Sequence, residues 1–330
     1  MPIVASDRIT LLEDSRSGRT ATFAGDVRTG LTGKPKRLAP KYFYDDLGSA
    51  LFEAICKLPE YYVTRAESEI FERYADEIID SLDAPVELVE LGSGSAVKTR
   101  MLIDRILSRQ PRLQYHAIDI SPDALTASAQ SLTEAHPRLS VNAYAYDYVS
   151  LFDSSALVTH ARTMVLFLGS NIGNYDPLPA AQLLRSVGRN LKPGDAILLG
   201  VDLKKPIEIL EAAYDDPTGV TAAFNKNLLG RINRELGGTF DLEEFEHEVH
   251  YLPVRGSVDS FLVAQRPQSV RIETLDLTVD FAAGESIHTE SSYKFSLDDI
   301  ERLSHGAGFS LGRTWMDEQR RFAVNLLVKT

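Results

Sequence analysis

An α/β fold built on a parallel, doubly wound sheet is predicted by three features of the 330-residue sequence. Apolar runs of strand length recur at 86–91, 113–120, 140–146, 163–169 and 196–202. Segments with helical spacing lie between them, as at 179–191, and strands that alternate with helices make a parallel sheet. A glycine turn also follows the first run directly, where such folds bring backbone N–H groups close to a ligand.

Leu88, Val89 and Leu91 make 86–91 a buried strand, Gly92 and Gly94 turn the chain, and a helix is expected from about Ala96. A dinucleotide fingerprint needs a third glycine where this chain has Val97. Glu90, at the strand end, suits the charged amino group of a methionine moiety and would repel a pyrophosphate. Both details favour S-adenosylmethionine (SAM). The run 113–120 carries Asp119 near its end, where a carboxylate can take both ribose hydroxyls. Asp119 could instead cap the helix opening at Pro122, although Ser121 is available for that role. The third run leads to Asp147 and Tyr148, at the level that reads and stacks on adenine. The run 163–169 opens a loop ending at Asn174, and 196–202 follows the turn Lys192-Pro193-Gly194-Asp195. A helix at 297–307 and strands at 310–315 and 322–329, joined by the turn 317–319, predict a terminal antiparallel hairpin.

What remains predicts a second, α+β domain: helices first, then alternating strands at 257–264, 270–279 and 286–293. The expected division is 65–204 with 295–330 for the sheet domain and 23–64 with 205–294 for the second. The polar stretch 1–22 reads as a mobile terminus.

Composition narrows the function. A net charge of -12 without a lysine or arginine cluster argues against nucleic acid. No apolar run reaches the length of a membrane span, and the first residues lack the basic-then-apolar order of a signal peptide, so a cytoplasmic protein is expected. The single cysteine, Cys56, falls at helical spacing with Phe52 and Ile55 and reads as a buried apolar residue. His247, Glu248 and His250 form a short cluster on an expected helix, too few ligands for a metal, and no metal is expected. Acidity without an exposed apolar stripe suggests a monomer.

Five blocks carry more specific information: PKYFYDDLGSALFEAICKLPEYYVTRAE (40–67), ELGSGSAVKTRMLID (90–104), FLGSNIGNYDP (167–177), AYDDPTGVTAAFNKNLLGRINREL (213–236) and VDFAAGESIHTESSYKF (279–295). Together they resemble the histidine N-alpha-methyltransferases of ergothioneine biosynthesis, over nearly all of the chain from about residue 26. The resemblance implies a Rossmann-like class I methyltransferase sheet plus a substrate-binding domain. It implies a cofactor site of Tyr44, Gly92, Lys98, Asp119, Asp147 and Tyr148, to which the strand-and-turn reading adds Glu90 and Gly94. It further implies an amino-acid site of Tyr61, Asn174, Tyr214, Glu290 and Ser292, with Phe52 and Gly169 lining the pocket.

Several of these roles have a chemical rationale. The Asn174 amide can accept from an amine and donate to a carboxylate, and Tyr61 and Tyr214 can bind a carboxylate without a strong charge. Strand alternation predicts one face for His288, Glu290 and Ser292, so that a carboxylate and a hydroxyl meet both nitrogens of an imidazole. A solvated polar strand face would have the same pattern. Where the family's histidine enzymes place a methionine beside the imidazole, this chain has Ser260, which leaves room for another ring. Glu290 argues for histidine, because an indole would leave most of its acceptors unpaired. The reaction implied is three successive methyl transfers from SAM to the α-amino nitrogen of L-histidine, with S-adenosylhomocysteine released and Asn174 and Tyr44 beside the chemistry. The amine's proton passes to Tyr44, to a water or to bulk solvent. Alternatives are N-methylation of another aromatic amino acid, or SAM binding without catalysis.

Overall fold

The computed structural model describes residues 3–13, 19–82, 85–94, 96–148, 151–152 and 157–330. Numbered along the chain, the strands are β1 (Ile3–Ser6), β2 (Ile9–Glu13), β3 (Lys36–Arg37), β4 (Val86–Leu91), β5 (Leu113–Asp119), β6 (Leu139–Ala145), β7 (Arg162–Phe167) and β8 (Ala196–Asp202). They continue as β9 (Phe245–Leu252), β10 (Ser257–Ala264), β11 (Gln268–Ile272), β12 (Leu277–Phe281), β13 (Ser286–Tyr293), β14 (Phe309–Met316) and β15 (Phe322–Lys329). The chain forms two compact units, Met1–Ser15 with Val63–Lys204 and Phe295–Thr330, and Arg16–Tyr62 with Lys205–Lys294.

The first unit holds a nine-stranded sheet in the order β1-β2-β6-β5-β4-β7-β8-β15-β14. Neighbours from β2 to β8 run parallel, and β15 and β14 close that edge as an antiparallel hairpin. Strand order reverses at β4, between β5 and β7, and the crevice beyond the carboxyl ends of such a switch point is where open α/β sheets bind ligands. Every residue of β4 and β8 is buried, which is why both are mainly apolar, interrupted only by Glu87 and Glu90 in β4 and by Asp202 at the end of β8. This is the doubly wound α/β sheet with a terminal hairpin that the sequence predicts.

The amino terminus departs from expectation. Within 1–22, β1 and β2 form a hairpin and β2 adds parallel to β6, from Ile9 beside Val141 to Glu13 beside Ala145. The row of backbone groups along β6 would otherwise be an open edge, and pairing satisfies it. Helix Arg19–Thr32 starts in the same stretch and belongs to the second unit, while residues 1–2 and 14–18 lie outside the described residues.

In the second unit a four-stranded sheet runs β3-β13-β10-β9, and β11 and β12 make a separate hairpin. Three expectations change here. The single strand expected at 270–279 is two strands, because Asp276 adopts a left-handed φ of 43° and reverses the chain. The segment carrying His247, Glu248 and His250 is β9 rather than a helix, held by β10 along its whole length. Finally, Ser260 pairs with Glu290 but Phe261 pairs with His288, leaving Thr289 as a bulge. The extra residue puts His288 on the opposite face from Glu290 and Ser292, so only the latter two share a surface. Consistent with this, His288 Nε2 meets Ser291 Oγ at 3.0 Å and the Thr289 hydroxyl turns inward to Asn225 Oδ1 at 2.8 Å. Cys56 is half-buried at the end of helix Asp46–Ile55, not fully buried as its spacing suggested. Among the described residues, no helix is long and apolar enough to cross a membrane.

Candidate active site

In the first unit, several of the expected residues gather at the turn after β4. Gly92 and Gly94 have φ of 73° and 46°, and Ala96, at 52°, caps helix Val97–Arg109 from the same left-handed region. A side chain on Gly92 would collide with the Tyr148 hydroxyl and come within 2.9 Å of Asn171 Nδ2, so the turn, Tyr148 and the loop after β7 crowd together. At Gly94, by contrast, an added Cβ would meet nothing within 4 Å among the described residues. Asp119 closes the turn from the end of β5: its carboxylate accepts from Gly94 N at 3.1 Å and Ser121 N at 3.0 Å. Burial raises the Asp119 carboxyl above its ordinary range, against the pull of these N–H groups. Ser121, not Asp119, caps helix Pro122–Ala135 through Ala124 N. The Tyr148 ring stands edge-on to Phe167, 6.0 Å between centroids.

Glu90 has a different place from the one expected. Its buried carboxylate lies 2.7 Å from the Thr99 hydroxyl at both oxygens and accepts from the Tyr115 hydroxyl, tying β4 to the next helix and to β5. Burial pushes its carboxyl up to about 7, with Tyr115 and Thr99 opposing the rise. The carboxylate is therefore engaged inside the unit, where the sequence reading aimed it at a ligand's ammonium.

Glu67 is a position that sequence reasoning missed. On helix Val63–Asp80 it is fully buried, accepts from Gly169 N at 2.8 and 3.1 Å, and pairs with Lys98. One carboxylate thus holds two expected site residues, the Lys98 ammonium and the Gly169 turn that starts the Asn171–Asn174 loop. Gly200 on β8 is required beside it, since a Cβ there would strike the Glu67 carboxylate. The signal was present in the sequence: Glu67 sits on the stripe Val63, Ala66, Ile70, a charge on the apolar face of an amphipathic helix.

Asn174 ends that loop half-buried, and its amide makes no hydrogen bond to the described residues. The loop is fixed from behind by Ser170, which adopts φ 58° and accepts from Asp202 N at 3.0 Å. Asp147 is exposed just beyond β6.

The second unit gathers a separate group of the expected residues. Rings pass edge-on from Tyr44 to Phe52 (5.6 Å), Phe52 to Tyr61 (6.2 Å) and Tyr61 to Tyr214 (6.3 Å), with Phe224 of helix Val220–Leu236 against Tyr44 and Phe52. Phe224, quoted within a sequence block but given no role there, completes this wall. Helix Asp46–Ile55 brings Phe52 to it; Asp45 caps that helix through Gly48 N at 2.7 Å. The Tyr214 hydroxyl is 2.8 Å from Ser292 Oγ, and the Lys294 ammonium donates to both, at 2.7 and 2.9 Å. Glu290 shares the Ser292 face and pairs across the strands with Ser260, whose buried hydroxyl has no partner among the described residues. Burial raises the Glu290 carboxyl to about 7, while Lys294 draws it down. The buried Tyr61 hydroxyl is raised well above its ordinary value by burial, then by the neighbouring Tyr214 and other acidic groups including Glu290.

Comparison with known proteins shows the family. A family model described as "Histidine-specific methyltransferase, SAM-dependent" matches residues 23–329. The histidine N-alpha-methyltransferase of Mycolicibacterium smegmatis is 41% identical over 305 residues, 92% of this chain and 94% of that protein. Its counterpart in Mycobacterium tuberculosis is 41% identical over 304 residues, again 92% and 94%. Ergothioneine biosynthesis protein 1 of Schizosaccharomyces pombe is 28% identical over 284 residues, 83% of this chain but 36% of that longer protein. The match spans the glycine turn and the aromatic wall alike, and the chain belongs to the SAM-dependent, histidine-specific methyltransferases.

Proposed function

We propose that this methyltransferase moves three methyl groups in succession from SAM to the α-amino nitrogen of L-histidine, giving the trimethylated betaine that begins ergothioneine synthesis. The observation that carries the reading is the strand face of the second unit, where Glu290 and Ser292 stand together beside the Tyr214 and Tyr61 hydroxyls. A carboxylate can accept from one ring N–H while a hydroxyl meets the other ring nitrogen, and tyrosine hydroxyls suit the substrate carboxylate.

The first unit fits SAM. Its left-handed Gly92, the open space at Gly94, the Asp119 carboxylate at the turn and the Tyr148 ring match the needs of methionine backbone, ribose hydroxyls and adenine. We assign Gly92, Gly94, Lys98, Asp119, Asp147 and Tyr148 to this cofactor, which supplies a methyl carbon already activated on sulfonium sulfur. The chain's own task is alignment and delivery of a neutral amine. Asn174, Tyr61 and Tyr214 are assigned to the amino and carboxylate end of histidine, Glu290 and Ser292 to the ring. The faces of Tyr44, Phe52 and Tyr61 favour an increasingly methylated cation by cation-π attraction, which suits repeated transfer.

The test is to incubate the protein with SAM and each common amino acid separately and read products by mass spectrometry. Trimethylhistidine as dominant product is expected. A different methylated amino acid, or none, overturns the proposal.

A further inference from the structure

Lys294 is an unusual residue to find at this face. It is 3% exposed, yet its ammonium is a strongly hydrated charge that burial penalises unless the protein replaces its water. The replacements include the Tyr214 and Ser292 oxygens, at 2.7 and 2.9 Å. An ammonium only donates, so it occupies a lone pair on each oxygen. The two hydroxyls are also 2.8 Å apart, so one donates to the other and the remaining O–H is turned to a further acceptor. A cation behind the pair also makes that O–H a stronger donor. Glu290, Ser292 and Lys294 alternate along the same chain segment, so carboxylate, hydroxyl and cation lie on one line.

We propose that Lys294 is a positioning residue of the amino-acid half-site: it orients the Tyr214 and Ser292 hydroxyls as donors and supplies the positive charge that balances Glu290. This rests on the assignment of Glu290 and Ser292 to the imidazole. Around Glu290 the charged and titratable groups among the described residues include Lys294 just beyond the strand, Tyr61 and the Tyr214 hydroxyl, while Ser260 faces it across the sheet and His288 lies behind on the opposite face. Burial holds the Glu290 carboxyl near 7 and Lys294 lowers it, so losing the ammonium moves its ionisation to higher pH.

The experiment measures histidine binding by calorimetry between pH 6 and 8.5 with S-adenosylhomocysteine present, alongside kcat and KM, for Lys294→Met, Lys294→Arg and Glu290→Gln. For Lys294→Met, histidine affinity is expected to fall about 10-fold or more, with KM rising further than kcat falls and S-adenosylhomocysteine affinity preserved. The acid-side midpoint of histidine binding should rise by about half a pH unit or more, and that rise should vanish in a Glu290→Gln background. Lys294→Arg keeps the charge and should retain the wild-type midpoint, which preserves the test if the methionine variant does not fold. Unchanged affinity and midpoint in Lys294→Met, or a shifted midpoint in Lys294→Arg, overturns the proposal. If Glu290→Gln alone binds histidine normally, the ring assignment itself fails, a result distinct from failure at Lys294.

Discussion

Replacing Glu67 tests whether one buried carboxylate organises the loop that carries Asn174. In Glu67→Ala, Gly169 N–H loses an acceptor bonded at 2.8 and 3.1 Å and the Lys98 ammonium loses its counter-ion. Breaking a buried ion pair from one side costs about 3–5 kcal/mol. Lys98 is 25% exposed and can recover some water, which points to the lower end, about 3 kcal/mol. Glu67→Gln keeps the shape and one acceptor for Gly169 N–H but loses the charge, for which about 1–2 kcal/mol is expected. Urea unfolding at pH 7, followed by circular dichroism with the m-value checked for two-state behaviour, reads the ordering wild type, Gln, Ala. Because the same bonds hold Lys98 and Gly169, S-adenosylhomocysteine affinity measured on the folded variants should fall in that order too. An alanine variant within about 0.5 kcal/mol of wild type would refute the clamp.

Three further outcomes follow from the geometry. Gly92→Ala forces a side chain into φ 73° against Tyr148 and Asn171; about 1–2 kcal/mol of stability should be lost, and calorimetry should find S-adenosylhomocysteine affinity reduced about tenfold or more. Burial raises the Glu90 carboxyl from 4.5 to about 7, so the native state holds its proton more tightly than the unfolded chain and stability drains as pH rises across that window. Glu90→Gln lacks this group, so its stability relative to wild type should improve by about 2–3 kcal/mol between pH 4 and pH 8 in paired denaturation curves. Ser260→Ala removes a buried hydroxyl that has no partner among the described residues and should be neutral or stabilising by up to about 1 kcal/mol; a loss of that size in a thermal melt would mean the hydroxyl is bonded.

Most of the first unit was legible because its signals are local. Parallel strands buried on both faces are mainly apolar, as β4 and β8 are apart from Glu87, Glu90 and Asp202, and a left-handed turn favours Gly92 and Gly94 wherever the rest of the chain goes. The β9 segment reads as a helix from sequence although Phe245 and His247 alternate inward, because the pairing that makes it a strand comes from β10. Tyr44, expected at the cofactor, and Phe52, Tyr61 and Tyr214, expected at the amino acid, do meet, but Phe224, which joins Tyr44 to Phe52, arrives from a helix far along the chain.

The sequence by itself determined the sheet, the glycine turn and the residue types available to bind an amino acid, since these follow from backbone sterics, burial and blocks of adjacent residues. Tertiary structure alone decided which of those residues act together. The bulge at Thr289 sends His288 away from Glu290, and it exists only in the register of β13 against β10. Likewise Glu90 turns from prospective ligand to internal tie once Thr99 and Tyr115 reach it, while Glu67 and Lys294 gain their places from partners 102 and 80 residues away. A side chain's charge is written in the sequence, but its partner is chosen by packing, and the partner sets what the charge can do.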